Sequence, residues 1–309
     1  MRRVWLPFAD LAEAERRLGG IPDGIEVDCF PGDGEWPDSI GEVEFYVLSK
    51  PPKVAFSRAA EMPKLKVAQI LYAGYEGVLP HVPDGVTLCN GGGIHDTATS
   101  ELAIALALAS GRRLDEFARN QPDGVWQPRG GVGLADQRVL IIGYGRIGAA
   151  IERRLAGFEV ASVTRVARRA RTEPEVHPVD RLPELLPEAD VVFVIAPLTP
   201  QTEGLIDATA LKLLPDDALV VNVARGKIID TDALVAETST GRIRAALDVT
   251  DPEPLPADHP LWRSPGVFIV PHVGGASTAY QPRADRFLAE QLRRFAAGEE
   301  LENVIDVLP

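Results

Sequence analysis

Residues 138–148 read RVLIIGYGRIG, and this stretch decides the fold. A continuous Val/Leu/Ile run of this kind is expected of a strand buried on both faces of a parallel sheet. It leads directly into Gly143-x-Gly145-x-x-Gly148, where a helix begins. Each glycine has its own task in such a turn. Gly143 permits the tight bend, Gly145 lets the backbone approach a pyrophosphate, and Gly148 lets the helix pack closely on the strand. The helix start, with Arg146 and Ile147, offers free N–H groups and a positive dipole end to phosphates. The pattern predicts a dinucleotide site.

Working outward, β-like runs alternate with helical patterns along the whole chain. After the glycine loop, strands are expected at Val160–Val163, Val191–Ile195, Leu219–Val223, Arg244–Val249 and Phe268–Val270. Before it, they are expected at Val4–Phe8, Ile25–Cys29, Glu44–Leu48, Val67–Tyr72 and Val86–Cys89. A helix is expected at Asp10–Leu18, a long apolar one at about Thr97–Leu114, and a final one from about Ala276 to Ala297. Sustained alternation of this kind implies βαβ units and a doubly wound α/β architecture in both halves. The length of 309 residues agrees with two domains at roughly 150 residues each.

Composition removes several function classes. Apolar residues at 45% and charged residues at 25% exclude a disordered or fibrous chain. The balance of 32 basic against 45 acidic residues gives −13, so no global basic footprint for nucleic acid exists. The longest apolar run, Leu102 to Ala109, is too short for the roughly 18 residues of a membrane span. The apolar stretch of the N-terminus ends at Asp10, too soon for a signal peptide. Cys29 and Cys89 form no disulfide framework and no metal spacing, so two thiols in a reducing cytoplasm and no metal are expected.

A dinucleotide site of this type normally carries an acid about 20 residues on, at the end of the second strand, for the adenosine ribose. Here the strand reads EVASVTRVARR, and the expected position falls on uncharged Thr164, followed by Arg165, Arg168 and Arg169. A carboxylate would repel a 2′-phosphate, whereas guanidinium groups bind phosphate with paired hydrogen bonds. The loop predicts NADP(H) over NAD(H).

Seven ordered segments resemble the D-isomer-specific 2-hydroxyacid dehydrogenase family: LYAGYEGVLP (71–80), GIHDTATSELAIALALA (93–109), LIIGYGRIG (140–148), APLTPQTEGLID (196–207), VNVARGKIID (221–230), AALDVTDPEPLP (245–256) and VFIVPHVGGAS (267–277). The resemblance implies a flavodoxin-like substrate domain from 1–93 plus 283–309, a Rossmann cofactor domain from 94–282, and the cofactor in the cleft between them. It also implies a homodimer with the helix near 97–114 at the contact. Carried over residue by residue, the catalytic set is Arg225, Glu253 and His272. Their chemistry is apt. A guanidinium fork holds a carboxylate, an imidazole donates a proton to a developing alkoxide, and a carboxylate beside it stabilises the imidazolium.

Substrate contacts are expected from the loop Ala73, Gly74 and Tyr75 as well as Arg225. Cofactor contacts are expected from Gly143, Gly145, Arg146, Ile147, Gly148, Thr164, Arg165, Arg168, Pro197, Thr202, Ala224 and Asp248. The implied activity is reduction of a small 2-keto acid, such as glyoxylate or hydroxypyruvate, by NADPH. The alternative is a cofactor-sensing binding protein, since corepressor-type relatives share the fold.

Overall fold

A computed structural model describes residues 1–305. The chain divides into two compact units, Met1–His95 with the chain from Thr278 onward, and Asp96–Ser277. The sequence places these boundaries at 93/94 and 282/283, a few residues away.

The first unit holds five parallel strands, β1 (Arg2–Leu6), β2 (Ile25–Cys29), β3 (Val43–Val47), β4 (Val67–Gln69) and β5 (Thr87–Cys89). Their order is β2-β1-β3-β4-β5, the flavodoxin-like arrangement. Alternation along the strands supplies two apolar faces. Val4, Leu6, Phe45 and Val47 pack with Leu288, Leu292 and Phe295 of the final helix, Tyr280–Ala297. Trp5, Tyr46 and Ala68 face the other cluster. The helix Leu11–Leu18 starts where Asp10 accepts a hydrogen bond from the Glu13 N–H and stops at Gly19, whose φ of +76° suits glycine.

The second unit contains β6 (Arg138–Ile142), β7 (Ser162–Ala167), β8 (Arg171–Thr172), β9 (Glu175–Pro178), β10 (Val191–Val194), β11 (Leu219–Asn222), β12 (Arg244–Leu247) and β13 (Val267–Ile269). The order β13-β12-β11-β10-β6-β7-β9-β8 contains the Rossmann sequence 3-2-1-4-5-6 read from β9 to β12. All pairs are parallel except β8 with β9. Leu140, Ile142, Val192, Val194 and Val220 line one core, while Val139, Ile141, Val191, Phe193 and Val221 line the other. That division explains the unbroken Val/Ile runs.

Three expectations need correction. The strand expected at Val160–Val163 is β7, which begins at Ser162 and continues to Ala167, because Thr164 and Arg165 interrupt the apolar run inside it. The long helix ends at Gly111, and a separate helix, Leu114–Asn120, follows Arg113, whose φ is +58°. The final helix begins at Tyr280. The short pair β8–β9 has no strand signal in the sequence, because its segment carries Pro174 and Pro178 and few apolar residues.

Gln69 and Gln291, both fully buried, tie the final helix to the five-stranded sheet of the first unit. The Gln291 amide donates to Gln69 Oε1 (2.8 Å) and to the Glu302 carbonyl (3.1 Å), while its oxygen accepts from the Glu302 N–H (2.8 Å). Gln69 Nε2 in turn donates to the Ile70 and Asn90 carbonyls (2.7 and 3.1 Å). Gln291→Leu leaves buried partners without hydrogen bonds, which should lower the unfolding free energy by about 3 kcal/mol. Denaturant titration checks this, and a change below about 1 kcal/mol would contradict it.

Candidate functional site

In an open parallel sheet, ligands bind beyond the carboxyl ends of the strands, where the order of connection reverses. That point in the second unit lies between β6 and β10. The glycine loop leaves β6 there and meets the segment after β10. Gly143 has φ +105°, and a Cβ on it would lie 2.4 Å from the Ala196 backbone nitrogen. A Cβ on Gly148 would lie 2.6 Å from the Gly143 carbonyl oxygen. Both positions therefore demand glycine. Around Gly145 a Cβ would meet nothing within 4 Å, and no side chain caps the helix Arg146–Leu155 that it starts. The open space and uncapped N–H groups fit the pyrophosphate of a dinucleotide.

Ile147 is half-buried against the core. Arg146 is exposed and pairs with Asp96 at 3.2 Å. Thr202 braces the loop after β10. Its hydroxyl donates to the Pro197 carbonyl (2.6 Å) and accepts from the Thr199 N–H (2.8 Å).

Thr164 does not stand at the strand end where the sequence puts it. It pairs with Leu140 in the middle of β7, and the strand ends at Ala167, followed by exposed Arg168 and Arg169. Counting from an early strand start displaced the position. Arg165 is already engaged: its Nε donates to Glu152 Oε2 at 2.8 Å and its Nη2 to the other oxygen.

Strands β11, β12 and β13 are neighbours, so their carboxyl ends bring three more segments together. Past β11, the buried Asn222 amide braces the backbone around Arg225. Its oxygen accepts from the Ala224 N–H (3.0 Å) and its nitrogen donates to the Arg225 carbonyl (3.0 Å). The next residue, Gly226, lies against Thr250, where a Cβ would come within 2.0 Å of the backbone. This contact sets the Arg225 loop beside the segment leading to Glu253.

Past β12, buried Asp248 receives the Val273 N–H (2.6 Å) and the Gly274 N–H (3.0 Å) on its two oxygens. Burial pushes the Asp248 carboxyl up from its ordinary range, opposed by those two N–H groups. Past β13, His272 sits at φ +51°, its own N–H donating to the Asp248 carbonyl (2.8 Å). Its Nδ1 lies 2.5 Å from Glu253 Oε1. A carboxylate only accepts, so Nδ1 carries the proton and Nε2 is the ring atom left for chemistry.

The other proposed contact residues lie in the first unit. Ala73, Gly74 and Tyr75 follow β4, and the Ala73 carbonyl accepts from the Asn90 amide at 2.7 Å. Of the remaining histidines, His95 stacks on Tyr280 (5.1 Å between centroids) and His259 accepts the Leu261 N–H. Among the described residues, no group of three metal-ligating side chains occurs.

Sequence reasoning missed Asn222, Tyr144 and Glu152. Asn222 ends an apolar run and reads there as a strand residue. Glu152 faces β7 one helical turn beyond Gly148, a placement visible only once helix and strand are packed.

The family model for the D-isomer specific 2-hydroxyacid dehydrogenase NAD binding domain matches residues 104–274. The human glyoxylate reductase/hydroxypyruvate reductase is 36% identical over 212 residues, 66% of this chain and 65% of that protein, just under two thirds of its length. A glyoxylate reductase of Pyrococcus horikoshii is 31% identical over 304 residues, covering 90% of this chain and 89% of its own. Among solved structures, a D-isomer specific 2-hydroxyacid dehydrogenase from Xanthobacter autotrophicus Py2 in complex with NADPH and MES superposes with TM-score 0.81 at 30% identity, covering 99% of this chain and 98% of that one. With its Rossmann strand order, glycine loop and Arg/Glu/His segments, the chain belongs to the D-isomer-specific 2-hydroxyacid dehydrogenase family.

Proposed function

We propose that the protein reduces a small 2-keto acid, of the glyoxylate or hydroxypyruvate kind, to the D-2-hydroxy acid. The observation that carries this reading is the His272 Nδ1–Glu253 Oε1 contact of 2.5 Å beyond the ends of neighbouring strands. Nicotinamide, when bound, supplies the hydride. Arg225 holds the substrate carboxylate and carbonyl oxygen with its planar fork. Ala73, Gly74 and Tyr75 of the first unit are proposed as substrate contacts through their backbone N–H groups. His272 gives the Nε2 proton to the alkoxide oxygen as it develops, and Glu253 stabilises the imidazolium before the transfer and fixes the ring's orientation. The relatives are named as reductases and dehydrogenases, which favours turnover over cofactor sensing.

The helix start at Gly145, Pro197, Thr202 and Ala224 line the cofactor side in this reading. NADPH is the preferred donor. Its support is the pair of exposed arginines, Arg168 and Arg169, directly after β7, where NAD-specific sites carry an acid. One or two charge-assisted hydrogen bonds to the 2′-phosphate favour NADPH by roughly ten- to a thousandfold. A homodimer is the proposed assembly, supported by the exposed Leu114, Val125 and Trp126, the last 96% accessible. Light scattering should then return twice the mass of the chain, and a monomer mass would refute it.

Steady-state oxidation of NADPH against a panel of 2-keto acids tests the activity. Turnover with at least one small keto acid is expected, with kcat/KM higher for NADPH than for NADH. Tight cofactor binding without turnover on any of them would overturn the catalytic reading, and equal values for the two cofactors would overturn the preference.

His272→Gln should keep NADPH binding and lose roughly 10²–10⁴-fold in kcat. Arg225→Lys keeps the charge without the fork, so kcat/KM for the keto acid should fall about tenfold or more. Wild-type kinetics in either variant would remove that residue from the mechanism.

A further inference from the structure

Beside the glycine loop lies a charged cluster that the proposed reduction leaves unused. Tyr144, the residue between Gly143 and Gly145, has two guanidinium groups within cation–π distance of its ring. The carbons of Arg165 and Arg171 stand 5.6 and 5.4 Å from its ring centroid. The Tyr144 hydroxyl donates to Glu152, and the Arg171 guanidinium donates to the Tyr144 carbonyl. Glu152 holds Arg165 through both carboxylate oxygens, and the two side chains are 21% and 23% exposed. The pair is thus fixed against the phosphate loop on one side and β7 on the other.

We propose that Glu152 is a positioning residue that sets cofactor choice by controlling Arg165. This rests on the reading that NADPH is the preferred cofactor. A 2′-phosphate brings about −1.5 to −2 charges near neutrality and seeks the same paired donors that Glu152 now occupies. The carboxylate therefore both cancels the Arg165 charge and competes for its fork. Arg168 and Arg169, exposed after the strand end, have no such restraint in the described contacts with Glu152. Arg165 keeps the Glu152 carboxyl below its ordinary range, so the restraint persists at neutral pH.

The arrangement makes two substitutions interdependent. Removing Arg165 while Glu152 is present takes away a guanidinium whose fork is already occupied, so the loss is small. Removing the charge of Glu152 alone frees a guanidinium for the phosphate. NADH, which carries no 2′-phosphate, responds weakly to either change.

Fluorescence titration of the full-length protein with NADPH and with NADH tests this without turnover. Glu152→Gln should raise the ratio of NADPH to NADH affinity by about fivefold or more, with NADH affinity changed less than about twofold. Arg165→Ala should weaken NADPH binding by about threefold in the presence of Glu152 and by about tenfold or more in the E152Q background, where the guanidinium is free for the phosphate. Glu152→Ala, which removes the acceptor altogether, should move the ratio in the same direction as Glu152→Gln. A ratio unmoved in both Glu152 variants would overturn the proposal, as would an equal rise in the E152Q/R165A double variant. The wild-type ratio is a separate reading: a value near one contradicts NADPH preference, whereas the shift on substitution reports on Glu152.

Discussion

The buried carboxylate of Asp248 is the constraint on which the candidate site depends. It receives two consecutive backbone N–H groups, from Val273 and Gly274, and so turns the chain sharply after β13. The preceding residue, His272, is consequently held at a positive φ that a histidine seldom adopts. Gly274 has no alternative, because a Cβ there would lie 2.7 Å from Asp248 Oδ2. Thr99, on the helix Asp96–Gly111, donates to the Gly274 carbonyl at 3.3 Å and secures the turn from its other side. An imidazole on a loose loop would lose its carboxylate partner. On this loop, Nδ1 is kept against Glu253.

Topology explains why so few residues suffice. Every strand from β13 through β7 runs parallel, so Gly143, Pro197, Arg225, Asp248 and His272 all follow carboxyl ends on one edge of the sheet. The close approach of Gly143 to Ala196 marks the point where the winding reverses. Asn222 and Gly226 then make the Arg225 loop rigid, one by hydrogen bonds to the backbone and the other by admitting Thr250. A binding edge of this kind is a consequence of parallel pairing, and the side chains along it decide the chemistry.

Much of this was legible in the text. The run Val139–Ile142 into Gly143 reads as strand and turn because the core needs apolar residues on both faces and the turn needs a missing Cβ. Arg225, Glu253 and His272 are legible through their segments. What escaped depends on packing. The end of β7 was misplaced because Arg165 looks like a loop residue until Glu152 and Tyr144 are seen to take its charge. The break at Arg112–Arg113 was hidden by a helix-favouring composition on both sides. Asp248 reads as a cofactor contact, and only the folded turn reveals that both of its oxygens are engaged by backbone.

The central claim is that Asp248 acts by holding the His272 turn. The most direct test measures NADPH affinity and keto-acid turnover together in Asp248→Asn, whose amide would point an N–H at one of the two backbone donors. The account predicts that kcat falls by about a hundredfold while NADPH affinity stays within about threefold, since a displaced acid costs rate rather than cofactor binding. A variant that loses NADPH affinity tenfold yet keeps near wild-type kcat at saturating cofactor would contradict it.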